Sequence, residues 1–296
     1  EVREFTRLLL PGILGASVIQ INILISRSLA HFLDESAVSI YYLANRLVEL
    51  PLGIFSIAIA TVYFPAFSEC ASRKNTSGFA LIFKQSIRLM FAITIPATVG
   101  FFVLGEPILR FLFEWGAFKA SDTEITLPLL QLFAVGLPFY SMVALMIRGF
   151  YAFKDTSTPM KVAFFSFGLN LVLSLALMWP LGIVGLALAN VLAILGQTIL
   201  LTGMLSQKLK SNLLRDLFPD VLKILGGSAV MVGAIKLVKL GIIYLPFTAK
   251  GEAAILVIVV IPLSVLIYFG VLWALKFSEM DEVPRLVARV FGKKNV

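Results

Sequence analysis

Long apolar runs separated by short polar turns fill this 296-residue chain, and they leave few architectures open. Eight runs stand out, at roughly 8–32, 36–64, 86–104, 122–147, 160–180, 181–206, 217–245 and 253–276. At a rise of about 1.5 Å per residue, each is long enough for a hydrocarbon core of about 30 Å, although the third is short and the seventh carries lysines. Backbone polar groups inside lipid must be satisfied within the spanning structure, which admits helices or closed barrels. No ten-residue alternation of the barrel kind is visible. The expectation is an all-α polytopic membrane protein with eight transmembrane helices. A composition that is 59% hydrophobic and 14% charged, with mean hydropathy +0.96, excludes an ordinary soluble domain.

The basic residues set an orientation, because short cytoplasmic loops carry the excess of lysine and arginine. With the N-terminus inside, 18 of the 25 fall on the inner side. Arg110, Lys119, Lys236, Lys239 and Lys250 fall outside, and Arg27 and Arg46 lie within spans. Both termini are therefore expected to be cytoplasmic. The net charge of +8 follows from that topology and from anionic head groups, and it implies no nucleic-acid partner. Cys70 and His31 are single, so neither a disulfide framework nor a Cys/His metal site can be built, and no cofactor is expected. His31 reads as an interfacial residue. The chain opens at Glu1 with no signal peptide ahead of the first run, the pattern of a piece cut from a longer polypeptide.

Three connections are longer than turns. Residues 65–85 read as an amphipathic helix on the inner surface, and 105–119 (GEPILRFLFEWGAFK) as an outer interfacial or re-entrant helix. Residues 148–161 (RGFYAFKDTSTPMK) carry Asp155, Thr156, Ser157, Thr158 and Pro159, the signals of a tight cytoplasmic turn. The charged run QKLKSNLLRD at 207–216 marks a boundary. It divides the chain into a six-helix lobe, 1–209, and a C-terminal pair of helices with a basic tail, 210–296.

Arg46 is the polar residue that most needs explaining. An arginine at bilayer depth costs between about 2.5 and 17 kcal/mol and normally faces a bundle interior or a watery cavity. Tyr42, Arg46, Glu49 and Gly53 recur at spacings of four, three and four, which places them along one helical stripe. Glu49 can pair with Arg46 and still leave guanidinium donors for a second anion. A purely internal ion pair that pins the helix is the alternative. Gln20 and Arg27 share a face of the first span while Asn22 points away. For Arg27, snorkelling to head groups competes with a cavity role. Asn170, Gln131, Asn190 and Gln197 are accounted for by hydrogen bonds between helices. No phosphate loop, HExxH or GxSxG motif occurs, so nucleotide use and hydrolysis are unsupported.

Three stretches carry a resemblance: ANRLVELPLGIFSIAIATVYFP at 44–65, GEPILRFLFEWGAF at 105–118 and RGFYAFKDTSTPMKVA at 148–163. In them the chain resembles the MurJ/MviN family of lipid II flippases, within a superfamily that also holds drug antiporters and polysaccharide-unit flippases. That family has two six-helix lobes and two further helices, so the resemblance implies a second lobe plus the final pair, without the first lobe. It implies a transporter, not an enzyme, in the bacterial plasma membrane. Its cargo would be the lipid-linked peptidoglycan precursor, and its partners membrane lipids and the missing first lobe, in the same chain or another. Arg46 matches the family's cavity arginine on the second helix of that lobe. With it, Tyr42, Glu49, Gln20 and Arg27 make up the candidate substrate-binding set. A flippase or antiporter for another cargo, and a membrane glycosyltransferase using a prenyl-diphosphate substrate, are the competing readings.

Overall fold

The computed structural model describes residues 2–33, 35–215, 217–243 and 248–280, without the side chains of 2–8, 19, 35, 36 and 243. The basic tail expected at 281–296 lies outside the described residues. The elements are α1 (Val2–Leu33), α2 (Glu35–Pro51), α3 (Ile57–Ser72), α4 (Thr76–Phe113), α5 (Ala120–Ala152), α6 (Ser157–Leu209), α7 (Phe218–Ile243), α8 (Ala249–Ile255) and α9 (Ile261–Ala274). Wide π-helical turns at Leu52–Ser56 and Leu256–Val260 join α2 to α3 and α8 to α9. Both sit beside a proline, Pro51 or Pro262. The Pro262 ring removes one helical hydrogen bond and crowds the carbonyl of Ile258 inside the second turn, so the helix widens there, whereas Pro51 immediately precedes the first turn. The described chain is helical with no strand.

Among the described residues, seven helices rather than eight are long and apolar enough to cross a membrane. The difference lies in α6, which carries the fifth and sixth expected spans with no loop between them. Gly182 breaks it, at φ 58° and ψ −137°, a backbone conformation that a side chain would strain. The chain doubles back there. Ser166 Oγ donates to the carbonyl of Ala193 at 3.2 Å, whereas a straight helix would hold residues 27 apart separated by about 40 Å. A Cβ at Gly185 would lie 2.2 Å from the Leu177 carbonyl oxygen, so the arms 157–181 and 183–209 meet at glycine distance near the bend.

Two of the three expected connections are corrected. Residues 65–85 form no separate surface helix. Instead α3 runs on to Ser72, the chain turns at 73–75, and α4 starts at Thr76 with the Asn75 side chain accepting from Gly78 N at 2.9 Å. Within that stretch Phe67, Phe79 and Phe83 are buried with ring centroids 5.2–5.8 Å apart, and Phe153 joins Phe79 at 4.7 Å, whereas Leu81 stays exposed. Residues 105–119 are likewise not an independent helix. Helix α4 continues to Phe113 with Leu109 fully buried, and Gly116 at φ 65° turns the chain towards α5.

Within 148–161 the chain makes the tight turn expected there. Helix α5 ends at Ala152, and Asp155 accepts from Thr158 N and Thr158 Oγ1, both at 3.0 Å, and from Lys208 Nζ at 2.8 Å. Burial alone would raise the Asp155 carboxyl. The hydrogen bonds from Lys208 and Thr158 outweigh it and hold the group below the usual carboxylate range.

Three apolar clusters organise the packing. One gathers Phe67, Phe83, Phe150 and Leu205 near the turns at 73–75 and 153–156. A second gathers Tyr41, Leu47, Phe133 and Leu186 towards the other end. The third packs α7 and α9 on α4 through Ile224, Met231, Tyr268 and Leu272. Tyr268 Oη donates 2.7 Å to the carbonyl of Ala92, which satisfies the one polar atom of that buried ring.

Candidate functional site

Helix α2 turns alternate residues to opposite fates. Tyr41 and Leu47 are buried, with the Tyr41 ring edge-on to Phe133 at 5.1 Å, whereas Tyr42 and Arg46 lie on the open face. Burial of the apolar stripe therefore fixes where the polar stripe points. Arg46 Nη1 donates to Glu49 Oε2 at 2.9 Å, with side chains 62% and 40% exposed. Glu49 Oε1 accepts from Asn45 Nδ2 at 2.8 Å, so the carboxylate is shared between two donors. From α1, the Arg27 guanidinium carbon sits 5.0 Å from the centroid of the Tyr42 ring, a cation–π contact.

Four of the five expected site residues are thus drawn into one patch: Arg27, Tyr42, Arg46 and Glu49. Gln20 is exposed on α1, and among the described residues no hydrogen bond or ion pair ties it to the other four. Asn45 was missed. Its spacing of four from Glu49 is the available signal. Further along the same bent rod, Arg148 of α5 donates to Thr61 Oγ1 at 2.8 Å. One guanidinium nitrogen of Arg46 is committed to Glu49, and its remaining donors are directed at nothing in the described protein. Chemically the patch offers donors that an anion could use: a guanidinium presents a planar fork that matches carboxylate or phosphate oxygens.

The polar residues expected to join helices do so away from this patch. Asn170 Nδ2 donates to Asn22 Oδ1 at 2.7 Å and Ser174 Oγ to Asn170 Oδ1 at 2.9 Å. Tyr140 Oη donates to Asn190 Oδ1. Ser56 and Ser141 share a buried hydrogen bond of 2.7 Å across the π turn.

A second charged group was not foreseen. Arg88 of α4 places Nε 2.8 Å from Asp220 Oδ2 and donates from Nη1 to Glu279 Oε1 at 3.0 Å, and the three side chains are only 20%, 9% and 5% exposed. Lys223 Nζ stands 3.9 Å from Asp220 Oδ1. Glu279 Oε2 has no hydrogen-bond partner. Burial, helped by the neighbouring Asp220, raises the Glu279 carboxyl above its ordinary value against the opposing pull of Arg88. This group ties α7 and the segment that follows α9 to α4.

The family model described as lipid II flippase MurJ matches residues 1–279. The chain belongs to that family. Among its relatives are probable lipid II flippases MurJ of Bdellovibrio bacteriovorus, 30% identical over 96% of this chain and 54% of the relative, and of Vibrio cholerae, 36% identical over 79% and 45%. A solved lipid II flippase MurJ in an inward closed conformation superposes with TM-score 0.73 at 28% identity, covering 96% of this chain and 56% of that one. A transporter of the MOP superfamily from Pyrococcus furiosus shares the fold, with TM-score 0.61 at 13% identity over 97% of this chain and 68% of that one. The chain spans about half the length of the curated relatives it matches. Family membership and apolar helices together make it a multi-pass protein of the bacterial inner membrane.

Proposed function

We propose that the full-length protein carries lipid II, the lipid-linked peptidoglycan precursor, from the inner to the outer leaflet, with this chain as its second lobe and two final helices. In this reading residues 1–209 are the lobe and 210–296 the additional helices and basic tail. Both termini face the cytoplasm, and a first lobe closes the cavity against the α2 face. The observation that carries it is Arg46, half-committed to Glu49 with its other donors free on an open face.

A diphosphate and sugar head group cannot enter hydrocarbon unaided, because each unpaired charged or polar group bears a large transfer cost. Arg46 replaces part of the lost hydration by bidentate contact with the diphosphate. Glu49, anchored by Asn45, orients the guanidinium and keeps it from binding the anion so tightly that release fails. Arg27 and Tyr42 widen the polar surface for the head group while the prenyl chain stays in lipid. Rocking of two lobes about the bound head group exposes it to either side in turn. With a potential negative inside, each negative charge moved outward gains about 2.3 kcal/mol per 100 mV, which favours export without nucleotide hydrolysis.

Arg46→Ala in the full-length protein tests this. Precursor export in cells or vesicles should be lost while the purified protein elutes and melts as the parent does. Unchanged export would remove the proposed role.

A further inference from the structure

A groove of about 680 Å³ runs between α4, α5 and the second arm of α6, and it shares no residue with the Arg46 patch. Phe91, Phe139, Met142, Leu195 and Ile199 give it apolar walls. From Leu195 to Lys210 it follows α6 for about 22 Å, enough for the half-thickness of a bilayer core and the head-group zone beyond.

Polarity enters along one line. Thr198, Thr202, Ser206 and Lys210 recur every four residues on α6, so the groove passes from apolar to hydroxyl-lined to cationic towards the helix end. Two of these residues are unspent. Thr202 is 7% exposed and its hydroxyl has no hydrogen-bond partner, a costly state for a buried donor. Thr198, by contrast, donates to the carbonyls of Ile194 and Phe139. Lys208 is held by Asp155 at 2.8 Å, but Lys210 makes no ion pair among the described residues. Lys210 is the single charge in the lining, which contains no carboxylate. The last carbonyls of α6 are already satisfied, since Lys210 N donates to Gln207 O and Ser211 N to Ser206 O, both at 3.1 Å.

We propose that this groove is a resident site for one anionic diacyl phospholipid of the adjacent leaflet. An acyl chain lies along Phe91, Phe139, Leu195 and Ile199. The phosphate meets the Lys210 ammonium. Ser206 and Thr202, one and two turns deeper, stand at the level of the glycerol esters, where the Thr202 hydroxyl finds the acceptor it lacks. The site does not depend on which cargo the protein carries.

The test uses the full-length protein in nanodiscs of phosphatidylglycerol or phosphatidylcholine, with a trace of photo-crosslinkable lipid of the same class. Labelled peptides should fall within 195–214, with phosphatidylglycerol favoured. Lys210→Asn, which tolerates the left-handed backbone that Lys210 adopts at φ 51°, should lower phosphatidylglycerol labelling about five-fold and leave phosphatidylcholine labelling unchanged. Gly203→Leu fills open space in the groove and should lower labelling by both lipids, while Val172→Leu, on an exposed surface elsewhere, should not. Thr202→Val reads the hydroxyl. If a lipid ester holds it, the variant labels less and melts no higher than the parent in phosphatidylglycerol; a raised Tm with unchanged labelling means an orphan hydroxyl, and the site is refuted. Equal labelling by both lipids, or crosslinks in the groove to residues 281–296 or to a prenyl diphosphate probe in place of phospholipid, would also overturn it. Should Gly203→Leu fail to fold, Lys210→Asn and Thr202→Val decide.

Discussion

Arg46 and Arg88 both sit within membrane-spanning helices beside a carboxylate, yet their surroundings make them opposites. Arg46 has one acidic partner, three residues away on its own helix, and a side chain 62% exposed on an open face. Arg88 has two acidic partners distant in sequence, Asp220 of α7 and Glu279 beyond the end of α9, and is 20% exposed between them. Depth in the bilayer therefore does not by itself mark a transport residue. What separates the two is how many donors remain uncommitted and whether an outside anion can reach them. Arg88 is enclosed by carboxylates that already neutralise it, so it fastens the C-terminal helices to α4. Arg46 is held by a single shared carboxylate, so it is oriented without being quenched.

The sharpest way to break this contrast is to delete each guanidinium in turn. Arg46→Ala should reduce export roughly a hundred-fold, and Arg46→Lys, which keeps the charge but loses the planar fork, about ten-fold. Neither should shift the melting temperature appreciably. Arg88→Met should do the reverse. It strands Asp220 and Glu279 in a buried site, a change worth about 3–5 kcal/mol, read as a fall in Tm of roughly 10 °C. The triple replacement Arg88→Met, Asp220→Leu and Glu279→Met should recover most of that loss, because burying apolar groups in place of an ionic cluster is close to neutral. If Arg46→Ala melts the protein as Arg88→Met does, the patch on α2 is structural and the contrast fails.

A finer test alters the partner. Asn45→Ala frees Glu49 to turn both oxygens onto Arg46, which leaves fewer guanidinium donors for cargo. Export should fall about five-fold, the value of one hydrogen bond, with stability unchanged.

The same contrast explains what could be read from the residues alone. The Arg46–Glu49 pair is local, and helical spacing is enough to find it. Arg88 and Glu279 are 191 positions apart, and no periodicity in one sequence couples them. The sequence alone therefore places Arg88 only among the 18 basic residues of the inner side. The apolar runs were legible because lipid demands length and hydrophobicity of each span, and the division between the fifth and sixth fell at 180 and 181, beside Gly182 where α6 bends. The ends of helices were harder. At 65–85 and 105–113 the polar residues looked like departures from a span, yet a helix pays no backbone penalty for continuing into the head-group zone, and Phe67, Phe79 and Leu109 find apolar neighbours there. Distinguishing a neighbour helix from a lipid surface needs tertiary contacts, since both bury the same stripe.

The smallest expected effect concerns the pH response of the Arg88 group. Glu279 lies beyond the end of α9, and its carboxyl is raised above its ordinary value of 4.5 by burial and by Asp220. The folded state therefore binds that proton more tightly than the unfolded state does. By linkage, stability falls as pH rises from about 4.5 through the raised folded value and is level above it. The ion pair with Arg88 acts in the opposite sense, which keeps the slope shallow. Glu279→Gln keeps the shape, retains an acceptor for Arg88 and removes the proton equilibrium. In thermal melts of the purified protein, the variant should differ from the parent by less than about 3 °C at any pH, and its Tm should lose the fall with rising pH that begins near the ordinary glutamate value. Arg46→Ala should leave that fall intact, since an open pair on α2 has no part in it. A parent Tm that instead climbs across the same range would mean that Arg88 dominates, with Glu279 ionised throughout and the buried group an ordinary salt bridge.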